Sequence, residues 1–548
     1  MFSKASWFNV VGLSLLSADF VRSVELGPNA QDMFNQSMTF LDDIYDPSAG
    51  YLRYFYYPFA ASSHETRSSI WYSVGLLQRN SRNDVGEAVK IIENVIGDQE
   101  KDTSLQWYGD YTVYPEQPTV GSDPYDPKIY STWDPNWRGF IGTALIIIYE
   151  EYGSLLPGHV QDLILESLKN STIGDTYRVN GVDGDNLSPS YSNPWLMRTM
   201  ASSWTGLKLK DSNMTTWGDK WAEEFLELFD RNHTLSEFNS PTYAGVSLYA
   251  LTLAAKYLGN TDSVIGTNAS RVIQEIWEYE SSLWNPNLRN FAGPWDRTYG
   301  LDMNNYVAIM SLWLWSFLGK ESVYKNTLPI WSLTHADDFE FAPVAAVLSD
   351  YHKSLVPNST ISRLSSFTGE HTYHGNAYAP PADQEQRNVT SWISENITIG
   401  AQSFNQDDAG GYSKDITSWS PAVVQWMRPD GSVGYFSLYT GEKAMQVDVG
   451  PHSLNLSYPL GTSSSTFTFH SPTNPLGEAR DITGLEDIYG LDVEVIGGTV
   501  SADPSIAFCG LQGGDCDIIH DFEFWSLTFN LPNGSSDVPS IHLKFDQN

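Results

Sequence analysis

Five polar and aromatic clusters each stand directly ahead of a long apolar run. They read HETR at 64–67, DPNWR at 134–138, NPW at 193–195, EFNSPTY at 237–243 and GPWDRTYG at 293–300. Runs at 70–77, 140–149, 244–258 and 303–318 are apolar almost all round, as in helices buried on most sides. Amphipathic stretches alternate with them. Ala88, Ile92 and Val95 share one helical face, Trp217, Trp221 and Leu228 a second, and Val272, Ile273, Ile276 and Trp277 a third. Alternation of buried and half-buried helices predicts two concentric layers built from hairpins. Inner helices are expected at about 65–79, 138–151, 194–207, 240–258 and 301–318, and helices near 28–44 and 340–352 supply a sixth pair. The expected architecture is an (α/α)5-6 toroid, closed or incomplete. An α-solenoid fits less well, because no fixed period repeats. With parallel inner helices, all the clusters meet at one mouth, and Trp and Tyr rings with polar neighbours suit a sugar.

The texture changes near residue 355. Ser, Thr, Gly and Pro rise, and alternating runs at 423–427, 433–439, 444–449, 464–470, 493–496, 522–527 and 541–545 predict strands separated by turns such as Arg428-Pro429-Asp430-Gly431. The chain therefore reads as α+β and multidomain. Its expected parts are a signal peptide at 1–23, a helical toroid at 24–355 and an antiparallel β-sandwich at 356–548.

Charge narrows the partners. Only 31 Lys and Arg face 66 Asp and Glu, for a net charge of −35. Nucleic acid and anionic membrane surfaces need basic footprints, so neither is an expected partner. Secretion is expected from Lys4, an apolar stretch at 5–18 too short to span a bilayer, and a small residue, Ser23, after Val21-Arg22. Asn-x-Ser/Thr acceptors at Asn35, Asn170, Asn213, Asn232, Asn268, Asn358, Asn388, Asn396, Asn455 and Asn533 point to a eukaryotic, fungal glycoprotein. Two cysteines, Cys509 and Cys516, are expected to close one small disulfide loop. No later stretch is long and apolar enough to cross a membrane, and a monomer is expected.

The candidate chemistry lies in the clusters. Arg67, Arg138 and Arg297, with the positive ends of the inner helices, suit a carboxylate-bearing ligand. Asn239 is a neutral donor for the same carboxyl group, although Asn239-Ser240-Pro241 also reads as a helix cap. Tyr243 and Tyr299 are candidate proton carriers, and an adjacent Arg is expected to lower the pKa of a phenol. Trp137, Trp195 and Trp295 are candidate stacking platforms. Glu65, Asp134, Glu237, Asp296 and Asp302 form a competing set, since two facing carboxylates hydrolyse a glycosidic bond. His335 precedes Ala336-Asp337-Asp338, and His371 and His374 lie where the strands begin, from which a loop could deliver His371 as base or stabiliser. His371-x-x-His374 lacks a third metal ligand, and the Asp183–Asn186 and Asp407-Asp408 stretches lack full calcium-loop spacing. No cofactor and no metal are expected: no phosphate-binding glycine loop, nucleophile elbow or zinc signature occurs.

On these residues the chain resembles secreted toroid-plus-sandwich polysaccharide lyases of the heparinase, chondroitin/hyaluronate and alginate lyase type. The likeness spans nearly the whole mature chain and extends loosely to Asn239, Tyr243, Arg297, Tyr299 and the junction histidines. It implies β-elimination of a uronate-containing polysaccharide or oligosaccharide, with Asn or Arg neutralising the carboxyl group and Tyr or His moving the proton. The clusters DPNWR, EFNSPTY and GPWDRTYG also look like those of largely uncharacterised fungal and bacterial proteins. The chain departs from the lyases in lacking an Asn-His-Tyr order within the toroid and in the acids around its funnel. Those departures keep glycoside hydrolysis by Glu237 with Asp302, Asp134 or Glu65 open. A deep apolar-lined funnel would also suit a small-molecule dehydratase or cyclase, and the non-enzyme alternative is a glycan-binding wall protein.

Overall fold

The computed structural model describes residues 23–55, 63–178, 185–325, 328–475, 477, 480–510 and 523–548. Among the described residues, twelve α-helices precede the strands of the C-terminal third: α1 Pro28–Ile44, α2 Thr66–Arg79, α3 Asp84–Gly97, α4 Trp137–Tyr152, α5 Gly158–Asp175, α6 Ser192–Leu209, α7 Ser212–Phe229, α8 Tyr243–Leu258, α9 Val264–Leu283, α10 Ile309–Leu318, α11 Ala342–Leu355 and α12 Asn358–Ser365. The apolar runs become helices with almost no exposed side. Ile141, Leu145, Ile146, Ile147 and Ile148 of α4 are all fully buried, as are Leu312, Trp313, Leu314 and Trp315 of α10. Helices α3, α7 and α9 bury one stripe each, as their period predicts.

Consecutive helices pair as α2 with α3, α4 with α5, α6 with α7 and α8 with α9. The buried members also touch one another in order, α2 to α4 to α6 to α8, and α11 reaches both α8 and α2. Helix α1 packs on α10 and α11. The expected start of the fifth inner helix near 301 is too early. Residues before Ile309 are held out of the helix by Asp302, which accepts from the Asn304 backbone N–H at 2.9 Å, and by Thr334 N–H, which donates to Asn305 O at 2.9 Å. Short polar side chains compete with helix here by bonding the local backbone.

Every strand pair in the large sheet that begins at His371 is antiparallel. Each of the seven expected runs meets a strand in it, Ala422–Met427, Val433–Tyr439, Ala444–Gly450, Thr466–Pro472, Asp492–Gly498, Phe524–Asn530 and Ser540–Asp546, while Phe522 lies outside the described residues. Five further strands join them: His371–Ala377, Arg387–Ile393, Ile397–Asn405, Ser453–Ser457 and Ser505–Cys509. The sheet branches at Ile397–Asn405, which pairs with three neighbours. Its two arms share one core, where Phe436 meets Phe545 at 6.0 Å between ring centroids. Among the described residues, no helix is long and apolar enough to cross a membrane. Residues 1–22 and Cys516 lie outside the described residues, so the expected signal segment and the Cys509–Cys516 pairing fall there.

Candidate active site

All five clusters contribute to one cavity of about 260 Å³ at the N-terminal ends of the buried helices. Arg67 comes from HETR, Asp134, Asn136 and Trp137 from DPNWR, Asn193 from the start of α6, Thr242 and Tyr243 from EFNSPTY, and Arg297 and Tyr299 from GPWDRTYG. A sixth contribution is His335, Asp337 and Asp338, just ahead of α11. The floor is apolar, with Trp71, Phe140, Val246, Tyr249, Ile309 and Phe341.

One wall carries a run of aromatic groups, one contact hydrogen-bonded and the next stacked. The hydroxyls of Tyr243 and Tyr299 share a short hydrogen bond. The Tyr299 ring lies flat on the His335 imidazole, with centroids 4.2 Å apart and planes within 3°. His335 Nδ1 is 3.4 Å from Asp338 Oδ2 and 3.6 Å from Asp337 Oδ1. Burial pushes the His335 pKa down, but Asp338 and Asp337 outweigh it and carry the value up to about 9, so the ring is cationic near neutrality. Its backbone is left-handed at φ 53°, which turns the side chain inward at some steric cost. Thr242 donates to Asp338 at 2.6 Å and fixes that carboxylate.

Arg297 spreads over the Tyr243 ring at 3.9 Å and lies 3.5 Å from Glu237. The expected lowering of the phenol's pKa does not follow at Tyr243. Burial raises it well above its ordinary value, and the Arg297 charge only partly opposes that. Across the cavity, Arg67 sits over Trp137 at 4.8 Å and Trp71 at 4.9 Å and pairs with Glu65 at 3.2 Å. Asp134 accepts from the Asn136 backbone N–H at 2.9 Å, and burial raises its carboxyl pKa against the pull of Arg178, Arg67 and Arg297.

Several expected site residues brace the cavity instead of lining it. Asn239 is buried at a left-handed φ of 46° and donates to Ala292 O at 2.8 Å and Pro294 O at 2.9 Å, so its amide nitrogen is spent on the neighbouring loop. Arg138 turns away and donates to Tyr108 O and Gln106 O. Trp195 is buried, with Nε1 donating to Trp221 O at 2.8 Å and Arg198 stacked against the ring at 4.2 Å, and Trp295 has no exposed surface at all. Asp302 accepts from the amides of Asn290, Asn304 and Asn305. Glu237 stands behind Arg297, accepting from Asn193 at 3.1 Å, and Glu65 accepts from Ser68 at 2.5 Å. Of the acids expected for hydrolysis, Glu237 with Asp302, Asp134 or Glu65, only Asp134 lines the cavity, together with Asp337 and Asp338.

His371 sits on the first strand of the sheet, its ring nitrogens within hydrogen-bond reach of Gly369 O and Ser282 O, and does not line the cavity. His374 faces Thr390. In the calcium candidates, Asp183 and Gly184 lie outside the described residues, Asp185 pairs with Arg178 at 3.0 Å, and Asp408 pairs with Lys414 at 2.8 Å. Asp337 and Asp338 were legible in principle, because THADD precedes α11 just as the other clusters precede their helices.

No curated protein matches the sequence. Among solved structures, a heparinase III aligns with a TM-score of 0.31 and 8% identity, over 96% of this chain and 85% of that one. Endoglucanase CelQ from Clostridium thermocellum, complexed with cellotetraose, aligns with a TM-score of 0.26 and 9% identity, over 95% of this chain and 92% of that one. A model described as Domain of unknown function (DUF8770) matches residues 369–546. Residues 31–350 match the model described as Domain of unknown function (DUF8769), and the chain belongs to that family.

Proposed function

We propose that the chain is a glycan-active enzyme that cleaves a uronate-containing saccharide by β-elimination. The observation that carries this reading is the convergence of Arg67 and Arg297 with the hydrogen-bonded Tyr243–Tyr299 pair and His335 in one cavity. The two guanidinium groups take the uronate carboxylate, which makes the neighbouring C5 proton more acidic. Tyr299 enters the step as its phenolate, and its oxygen takes that proton to become the hydroxyl. The C5 electron pair forms the C4–C5 double bond, and the C4–O bond breaks. Tyr243, kept protonated by burial, donates to the leaving oxygen. Proton transfer along the Tyr299–Tyr243 hydrogen bond then restores both groups. His335, cationic and flat against Tyr299, balances negative charge on that ring.

The order of helix contacts supports an incomplete α/α toroid with the cavity at its mouth. Secretion as a glycoprotein belongs to the same proposal, and none of the ten acceptor asparagines is buried. The test is a panel of uronate polymers across acid to neutral pH. Elimination produces an ultraviolet-absorbing unsaturated uronate that Tyr299→Phe abolishes. New reducing ends without that chromophore would replace this reading with hydrolysis by Asp134 and Asp337 or Asp338, for which the raised Asp134 carboxyl is the supporting observation.

A further inference from the structure

GPWDRTYG supplies Arg297 and Tyr299 to the cavity, yet it is fastened to the sheet. Trp295 and Ser420 exchange backbone hydrogen bonds at 3.0 and 2.9 Å, and Thr298 N–H donates to Ser418 O at 2.7 Å. Ser391 Oγ donates to Gly293 O at 2.6 Å. The centre of this seam is Arg387, which is 2% exposed. Its Nη2 donates to Ser236 O at 2.7 Å, its Nε to Asp383 at 2.8 Å, and its Nη1 to Asp296. Asp296 is the residue next to Arg297, and Ser236 is the residue next to Glu237. Asp296 also accepts from the Phe238 backbone N–H at 2.9 Å and from Gln402 Nε2 at 2.7 Å. One guanidinium from the sheet thus holds the two loops that carry Tyr243, Arg297 and Tyr299.

We propose that Arg387 is a positioning residue for the cavity: by clamping Ser236 and Asp296 together, the sheet sets where Arg297 and Tyr299 stand relative to Tyr243. The planar fork does this because it donates in three directions at once, which a lysine ammonium on a flexible stem cannot reproduce. The functional consequence rests on the reading under Proposed function; the structural consequence does not.

The experiment compares full-length wild type with Arg387→Lys, which keeps a positive charge against Asp296 and Asp383. Hydrogen–deuterium exchange is expected to accelerate at least about tenfold in peptides covering 236–239 and 293–300, with α4 unchanged. On a uronate polymer that the wild type cleaves, kcat is expected to fall about 100-fold, the effect of a misplacement near 1 Å, with KM rising as Arg297 shifts from the carboxylate. Asp383→Asn, a milder change that weakens the Arg387 Nε bond and leaves the guanidinium in place, is expected to move the same loops in the same direction, and decides the case if Arg387→Lys does not fold. Unchanged local exchange in the folded variants overturns the proposal. So does faster exchange with kcat and KM both intact. Should the wild type cleave no uronate polymer, the proposed reaction falls, and the exchange data alone decide whether the clamp fixes the loops.

Discussion

The rim of the cavity and the core beneath it each hold a histidine, in opposite states. His335 stands at the rim beside Asp337 and Asp338, which override its burial and keep it charged. His352, in α11, is wholly buried against Trp313, Trp277 and Phe317, accepts a hydrogen bond from Trp277 Nε1 at 2.8 Å, and burial holds its pKa down to about 3. The arginines divide the same way. Arg67 and Arg297 face the cavity, whereas Arg138 and Arg387 spend their donors on carbonyls and carboxylates behind it. Residue type does not assign a role here. What decides it is which partners the local fold sets against the group.

The sharpest way to break the comparison is Tyr299→Phe. It removes one oxygen from the rim and nothing from the core, so turnover should drop by about 10² to 10⁴ with unfolding unchanged. Equal losses of activity and stability would place Tyr299 among the braces. Asp302→Ala makes the opposite test. It takes one acceptor from each of the buried amides of Asn290 and Asn304, which keep only Leu288 O, at about 1–3 kcal/mol for each donor left unsatisfied, so the urea midpoint should fall. If folding held and turnover alone collapsed, Asp302 would return as a catalytic acid.

The two histidines should then separate by pH. The folded pKa of His335 is raised, so its stabilisation is complete below about pH 6.5 and is lost as pH climbs through about 9. For His352 the folded pKa is depressed, so its contribution is present above about pH 6.5 and disappears as pH falls toward about 3. Urea midpoints across pH should lose their alkaline slope in His335→Gln and their acid slope in His352→Gln. A wild-type curve flat on both sides would contradict both assignments. The smallest expected effect is on ligand affinity in Trp195→Phe. Because the ring is buried against Arg198 and its Nε1 donates to Trp221 O, weaker saccharide binding in that variant would show that it reaches the ligand after all.

Much of the helical layout is legible because fully apolar runs and striped runs differ in period, and the seven alternating strand runs follow from the same principle. Ser453–Ser457 was also readable: Leu454 and Leu456 are buried while their neighbours are not, but the run is short. His371–Ala377 carries only polar and small residues around one tyrosine, and no alternation marks it as a strand. At the site, the convergence of the clusters could be read from their placement before helices. Which member of a cluster faces inward could not. Asn239 and Tyr243 stand four residues apart on the approach to one helix, yet only Tyr243 meets the cavity. A left-handed turn at Asn239 sends its amide toward Ala292 and Pro294, and sequence spacing carries no trace of that turn.

The Arg387–Asp296 contact also bears on inheritance. Arg387 belongs to the stretch matched at 369–546 and Asp296 to the stretch matched at 31–350. A recombinant lineage that kept the helical segment and exchanged its C-terminal companion would carry an acid in its interior with no cation to meet it. The two segments are therefore expected to pass from ancestor to descendant as a linked pair, and lineages that part them should be found with Asp296 replaced.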